Sequence, residues 1–410
     1  MGKVLLAYSG GLDTCVCIPW LQEHYDLEVL TFTADLGQGV SEQGIVQRSR
    51  ASGAKKAYVV NLRQPFLAEF VFPALQAGAI YQDGYPLATA LGRPLIAREL
   101  VRVAQETGCT YVAHGCTGKG NDQVRFEASI LALDPSLKVI APAREWDFAS
   151  REAELEYARE RGLPTPPLKK GAAYSIDRNL WGVSTECGDI LEDPAQAPPE
   201  DAYQITVSPE SAPDEPELLS LDFEEGLPVG VDERPIEPEE LVMELNQRGG
   251  AHGVGRIDMV EDRLVGIKSR EIYEAPAATI LHTAHRALEA LTIGRSLRQL
   301  KDQLARVFAQ LIYDGYWFSE VREALQAFFT RSQQYVTGSV RMKLYKGQAT
   351  AVGRTSPFSL YEFKLATYGP EDEFDQKASE GFCRIWSLPL AAEARRAEVG
   401  DRKGKAHTAH

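Results

Sequence analysis

The sequence predicts an α/β fold, with a doubly wound, mainly parallel sheet followed by an α+β region. Three observations point there. Short apolar runs alternate with helix-like segments through the first 165 residues. Glycine-rich or acidic turns follow several of those runs. Proline-rich stretches, near residues 163–171 and 192–217, then break the alternation.

The elements follow in order. KVLLAY (3–8) reads as a buried strand, and LDTCVCIPWLQEHY (12–25) as a helix that Pro19 should bend or shorten. LEVLTFTAD (27–35) is the next strand and SEQGIVQRSRAS (41–52) the next helix. KAYVVNL (56–62) is a strand, with helices near 64–79 and 93–107. TYVAHG (110–115) is a strand, NDQVRFEASILAL (121–133) a helix, and KVIAP (138–142) the last strand of the series. Apolar strands alternating with helices give a parallel sheet covered on both faces. Ligands of such sheets bind beyond the carboxyl ends of the strands, at a switch point.

A charged helix, SREAELEYARERG (150–162), runs into LPTPPLKKG, a boundary near residue 168. Glu192 to Glu217 is acidic and proline-rich, the composition of an exposed excursion. Thr279 to Leu311 is mostly helical, and SVRMKLYKGQATAVGR (339–354) is a hairpin turning at YKGQ. The last 20 residues are polar and expected to fray.

With 410 residues the chain can bury two or three cores. Its net charge of -14, from 44 basic and 58 acidic residues, gives nucleic acid no general reason to bind. The six cysteines include no C-x-x-C pair, so neither a zinc site nor a thioredoxin-type pair is expected, and reduced thiols in the cytoplasm are. The initial apolar run is too short for a signal peptide, and nothing approaches the roughly 18 apolar residues of a membrane span.

Two loops carry the chemistry. In YSGGLDT (8–14), Gly10 and Gly11 permit φ > 0 and clear space, while a helix can begin near Leu12 or Asp13. Its N-terminal N–H groups and the hydroxyls of Ser9 and Thr14 form a phosphate cradle, unless the turn only caps the helix. Asp13 would then serve Mg²⁺ or a helix cap. Neither a Walker A loop nor a G-x-G-x-x-G fingerprint is present. In AHGCTGKGNDQVRFE (113–127), glycines line a loop bearing Thr117, Lys119, Asn121 and Asp122, with Arg125 on the same helix face as Asp122. An Arg fork for a carboxylate and an Asp for an ammonium suit an amino acid. A surface loop with an i,i+3 ion pair is the other reading.

S-G-G-x-D-[ST] after the first strand resembles the PP-loop of N-type ATP pyrophosphatases, which hold the pyrophosphate of ATP and adenylate a substrate. The second stretch closely resembles the H-G-A-T-G-K-G-N-D-Q-V-R-F-E signature of the argininosuccinate synthase family. FTADLGQG (32–39), AYSIDRNLWGVSTECG (173–188) and GGAHGVGRIDMVEDRLVGIKSREIYEAP (249–276) are similar to further family segments. The resemblance covers about residues 3 to 390.

It implies a nucleotide-binding domain (1–168), a synthetase domain (169–360) and a C-terminal oligomerisation segment (361–410), in a cytoplasmic homotetramer. It also implies ligation of citrulline to aspartate through citrullyl-AMP, with release of AMP and pyrophosphate and with Mg²⁺ accompanying ATP. ATP would meet Ala7, Tyr8, Ser9, Gly10, Gly11, Leu12, Asp13, Thr14 and Cys15, with Ala34 and Gly115; Lys119 is added on charge grounds. Aspartate would meet Thr117, Asn121 and Asp122. Citrulline would meet Tyr85, Asn121, Arg125, Ser175, Ser184, Glu261 and Tyr273. Asp13, Asp122 and Arg125 are the residues expected to act at the reacting groups, and no metal ligand is assigned beyond Asp13.

Three positions depart from the family pattern. Cys15 stands where Ser is usual, and a thiol is a poor donor to phosphate. Ala90 lacks a hydroxyl that other members offer citrulline, and Glu271 replaces Gly. Two other readings compete: a tRNA-modifying PP-loop enzyme, which needs a basic RNA surface, and a nucleotide-binding module without catalysis, which leaves the amino-acid constellation unexplained.

Overall fold

A computed structural model of the chain describes residues 2–39, 41–148, 150–164 and 174–407. They fall into two compact units, Met1–Phe358 and Ser359–His410. The boundary expected near residue 168 lies outside the described residues.

The first sheet contains β1 (Gly2–Ala7), β2 (Leu27–Asp35), β3 (Lys56–Asn61), β4 (Tyr111–His114) and β5 (Lys138–Ile140), in the order β3-β2-β1-β4-β5 and all parallel. Central β1 is apolar on both faces. Leu5 belongs to one core with Phe32, Leu67 and Leu95, while Val4 and Leu6 belong to another with Ile18 and Val29. The strand order reverses between β1 and β4, where Ala7 pairs with His114. The chain therefore leaves the sheet twice, side by side, at this switch point.

The helix after β1 spans Leu12–Tyr25 and continues unbroken past Pro19, so the shortening expected there does not occur. Cys15, Val16, Cys17, Ile18, Trp20 and Leu21 are all buried along it. That packing outweighs the one backbone hydrogen bond Pro19 cannot make. The 93–107 helix starts earlier, at Ala88, and accommodates Pro94.

Two antiparallel sheets follow. β6 (Ser175–Asn179), β7 (Gly182–Glu186), β11 (Arg256–Asp262) and β12 (Lys268–Glu274) form one in the order β11-β12-β7-β6. β8 (Glu217–Glu224), β9 (Leu227–Val231), β10 (Arg234–Pro235), β13 (Gly338–Tyr345) and β14 (Gln348–Thr355) form the other, β10-β9-β8-β13-β14. The predicted β13–β14 hairpin turns at Lys346 and Gly347, both with positive φ, as a tight two-residue hairpin requires.

The acidic stretch 192–217 is less exposed than its composition suggests. The backbone N–H groups of Gln204, Ile205 and Thr206 donate to the buried Glu274 carboxylate at 2.6 to 2.9 Å, and Ala202 is fully buried. An ion that needs donors draws an otherwise polar loop inward.

In the second unit the helices are Phe363–Ala366, Ala378–Trp386 and Leu388–His407. The C-terminal stretch expected to fray is thus helical as far as His407.

Candidate active site

The first loop is built as its glycines require. Gly10 has φ +80°, and a Cβ there would lie 2.7 Å from Ile45 Cδ1. Gly11 caps the Leu12–Tyr25 helix in an extended conformation, with no side chain serving as the cap. Ser9 Oγ accepts from the Gly11 N–H (3.2 Å) and lies 3.1 Å from Thr14 Oγ1, so the two hydroxyls converge at the helix N-terminus. Arg48 Nη1 donates to the Gly10 carbonyl at 2.6 Å, bringing a positive charge to the loop. Ala34 is the penultimate residue of β2, the neighbouring strand, and Thr33 Oγ1 donates to the Tyr8 carbonyl.

Cys15 faces the other way. Its thiol is fully buried, 3.1 Å from Tyr8 Oη, and burial raises its pKa. Its N–H is committed to the Gly11 carbonyl. Asp13 is half exposed, with Arg151 Nη1 at 3.9 Å. Burial, with Asp13's negative charge adding to it, pushes the neighbouring Glu154 up to about 8.

The second loop lies against the first. A Cβ on Gly115 would come 3.1 Å from Thr14 Cγ2. Thr117 and Lys119 are exposed at its mouth. Asn121 is buried, its Oδ1 accepting from the Leu264 N–H (2.9 Å) and its Nδ2 donating to Tyr313 Oη (2.7 Å). Asp122 accepts from Arg125 Nη1 on one oxygen and Arg93 Nε on the other, both at 2.9 Å. Burial alone would raise its pKa, but the two guanidinium charges outweigh that and lower it.

Arg125 is 4% exposed. Its Nε donates to the Tyr313 carbonyl (2.9 Å) and its Nη1 to Asp122, while Nη2 is buried without a partner. A buried guanidinium whose Nη2 amino group is unspent is ready for a carboxylate.

The β11-β12-β7-β6 sheet supplies the facing wall. Its register aligns Asp177, Ser184 and Tyr273 in one row and Ile257 beyond them, so these side chains share a face with Ser175, Glu186, Glu261 and Glu271. Tyr273 stacks on Tyr85 at 4.1 Å between centroids, and Tyr273 Oη donates to Glu261 Oε2 (2.7 Å). Tyr85 Oη accepts from the N–H groups of Thr89 and Ala90, so Ala90 contributes its backbone where it has no hydroxyl. Burial raises the phenol of Tyr85 to about 12 and raises that of Tyr273 well above its ordinary value. Both are neutral hydrogen-bonding groups. Glu271 sits in extended β12 without positive φ, so its side chain causes no backbone strain. Arg263 Nη2 donates to Glu271 (2.7 Å) and also pairs with Glu186.

The structure thus groups the expected residues in two sets. Ser9 to Thr14, Gly115, Thr117 and Lys119 surround the switch point. Tyr85, Asn121, Arg125, Glu261 and Tyr273 interlock through hydrogen bonds or stacking, with Ser184 beside Tyr273 in the sheet. Ser175 is exposed at the start of β6. The side chains of Leu12 and Cys15 belong to the core, away from both sets. Tyr313, Arg93 and Arg263 were not singled out from sequence. Tyr313 and Arg93 lie outside the quoted motifs, with only the helix-breaking Asp314–Gly315 after Tyr313 visible as a signal, whereas Arg263 lies within the quoted 249–276 stretch, two residues past Glu261.

Comparison with known proteins adds the family. The Arginosuccinate synthase N-terminal HUP domain matches residues 3–164, and the Arginosuccinate synthase C-terminal domain matches 174–393. The argininosuccinate synthase of Chlorobium phaeobacteroides (strain BS1) is 55% identical over 388 residues, 95% of this chain and 96% of that protein. That of Chlorobaculum tepidum is 55% identical over 389 residues, again 95% and 96%. A 4-thiouridine synthetase solved with RNA and ATP aligns over 40% of this chain and 41% of its own at 23% identity, with a TM-score of 0.29, too low to carry an argument.

Proposed function

The chain belongs to the argininosuccinate synthase family, and on that premise we propose how its residues divide the reaction. It is a ligase that joins L-citrulline and L-aspartate at the expense of ATP, in arginine biosynthesis. In our reading the ureido oxygen of citrulline attacks the α-phosphorus of ATP, giving citrullyl-AMP and pyrophosphate. The amine of aspartate then displaces AMP.

The observation that carries this division is the pairing of Ala7 with His114, which opens both loops at one switch point. The first loop would seat the leaving pyrophosphate on the N–H groups of Gly10 to Thr14 and the hydroxyls of Ser9 and Thr14, with Ala34 at the adenosine and Lys119 at a phosphate. Arg125 would take the citrulline carboxylate with its unspent Nη2, and Glu261 its ammonium. Tyr85, Ser175, Ser184, Asn121 and Tyr273 would complete that pocket. Thr117 and Asn121 would meet aspartate. Asp122, held by two arginines, would orient Arg125 and complete the aspartate site. Positioning and charge stabilisation would then do most of the catalytic work.

Mg²⁺ would screen the charge of the polyphosphate when bound. Among the described residues no group of three or more His, Cys, Asp or Glu is placed to hold a metal. The half-exposed Asp13 fits a single protein ligand to an ion carried in on the nucleotide. We place the enzyme in the cytoplasm and free of nucleic acid, in keeping with its acidic charge and six free cysteines. No described helix is long and apolar enough to cross a membrane.

One assay tests the reading. Pyrophosphate release should require ATP with citrulline, and argininosuccinate should form only once aspartate is added. Release driven by tRNA, or none with citrulline, would contradict it.

A further inference from the structure

We propose that Tyr313 is a positioning residue of the citrulline pocket, holding Glu261, Asn121 and Arg125 in register for the amino-acid head of the substrate. The proposal rests on the reading of Glu261 and Arg125 given above. Tyr313 is the last residue of the Arg295–Tyr313 helix and is fully buried. Its hydroxyl donates to Glu261 Oε1 (2.7 Å) and accepts from Asn121 Nδ2 (2.7 Å). Its carbonyl accepts from Arg125 Nε (2.9 Å). One residue thus touches three pocket groups from two distant segments, Asn121 and Arg125 at the start of one helix and Glu261 in β11, and it spends its single phenolic proton on the carboxylate.

Its ring is held as firmly. It stacks on Tyr81 at 3.6 Å between centroids and 7° between planes, and Tyr81 Oη is itself anchored to the Asp262 carbonyl. The Arg125 guanidinium lies 4.8 Å from the Tyr313 ring centroid. Beyond the helix, Gly315 has φ +82°, and a Cβ there would lie 2.9 Å from Arg125 Cα. The helix end therefore docks directly on the backbone of Arg125, and only glycine permits that approach.

Glu261 receives Tyr273 on one oxygen and Tyr313 on the other. Both phenols donate, so the carboxylate is oriented while lone pairs remain for an ammonium. Removing the Tyr313 hydroxyl would leave Glu261 Oε1 and Asn121 Nδ2 short of partners inside a buried pocket.

The test compares Y313F with E261Q in full steady-state kinetics. Y313F is expected to raise KM for citrulline roughly 10- to 100-fold, the effect of one lost charge-assisted hydrogen bond. The expected kcat stays within about threefold and KM for ATP within about twofold, as when binding alone is lost. A general structural defect would move all three constants and the melting temperature together, and that pattern overturns the proposal. E261Q separates the layers. If E261Q raises KM for citrulline and a folded Y313F does not, Tyr313 has no positioning role. If E261Q also leaves it unchanged, the assignment of Glu261 fails first. Should Y313F not fold, Y313H, which keeps a ring with a polar atom, is scored by the same constants.

Discussion

At the scale of single residues, burial decides what a motif position can do. Cys15 occupies a place in the phosphate loop where a hydroxyl would be usual, which suggests a weakened phosphate contact. The structure turns its thiol into the core against Tyr8. We therefore expect C15S to keep KM for ATP within about twofold of the parent. The same change should lower stability by about 1 kcal/mol, because the smaller, better hydrated hydroxyl underfills a fully buried site shaped to sulfur. Nucleotide titration and thermal melting check the two halves separately. Motif residues such as Asp122 and Arg125 were legible because charge and i,i+3 spacing declare an interaction within one helix. Tyr313 was not legible, since its partners Asn121 and Arg125 lie 192 and 188 residues away. No local pattern encodes that meeting.

At the scale of elements, the alternation of apolar runs was enough to place the strands of the parallel sheet, and the β13–β14 turn followed from its Lys-Gly pair. Pro19 is expected to bend or shorten its helix, yet the helix continues past it with a buried face that holds it, and the 93–107 helix likewise extends back through Pro94 to Ala88. Local propensity loses to tertiary packing there. The Pro276–Thr292 helix shows a different cost of burial. Burial pushes His282 down to about 3, with the charges of His285 and Lys301 adding to the effect. The folded state therefore holds this imidazole neutral. Its stabilising contribution is complete above the ordinary value near 6.5 and is lost as pH falls from 6.5 towards 3. We expect H282N to flatten the fall in stability between pH 7 and pH 4 by about 2–3 kcal/mol, measured by denaturant melts of both proteins. An unchanged slope would show that this histidine titrates normally.

At the scale of the whole molecule, composition alone set bounds on charge, cysteine chemistry and membrane spans, but not on assembly. Assembly depends on surfaces whose partners are absent from a single sequence. The Ser359–His410 unit exposes Phe363, Tyr368, Phe382, Ile385, Trp386, Leu388 and Leu390. So much apolar surface on a short segment suits burial against another copy of the chain. We propose that this segment supports a homotetramer, as the family resemblance implies. A chain ending at Phe358 should then form assemblies of fewer subunits than the full chain at equal concentration, as read from light scattering against each chain's own mass. An unchanged subunit number would remove the segment from the assembly.

The central claim, that citrulline is adenylated through its ureido oxygen at the paired loops, is tested most directly by isotope transfer. Citrulline labelled with ¹⁸O in the ureido group is turned over with ATP and aspartate, and the AMP is analysed by mass spectrometry. Attack by that oxygen on the α-phosphorus predicts one ¹⁸O in each AMP released and none in pyrophosphate. AMP that carries no label would contradict the account.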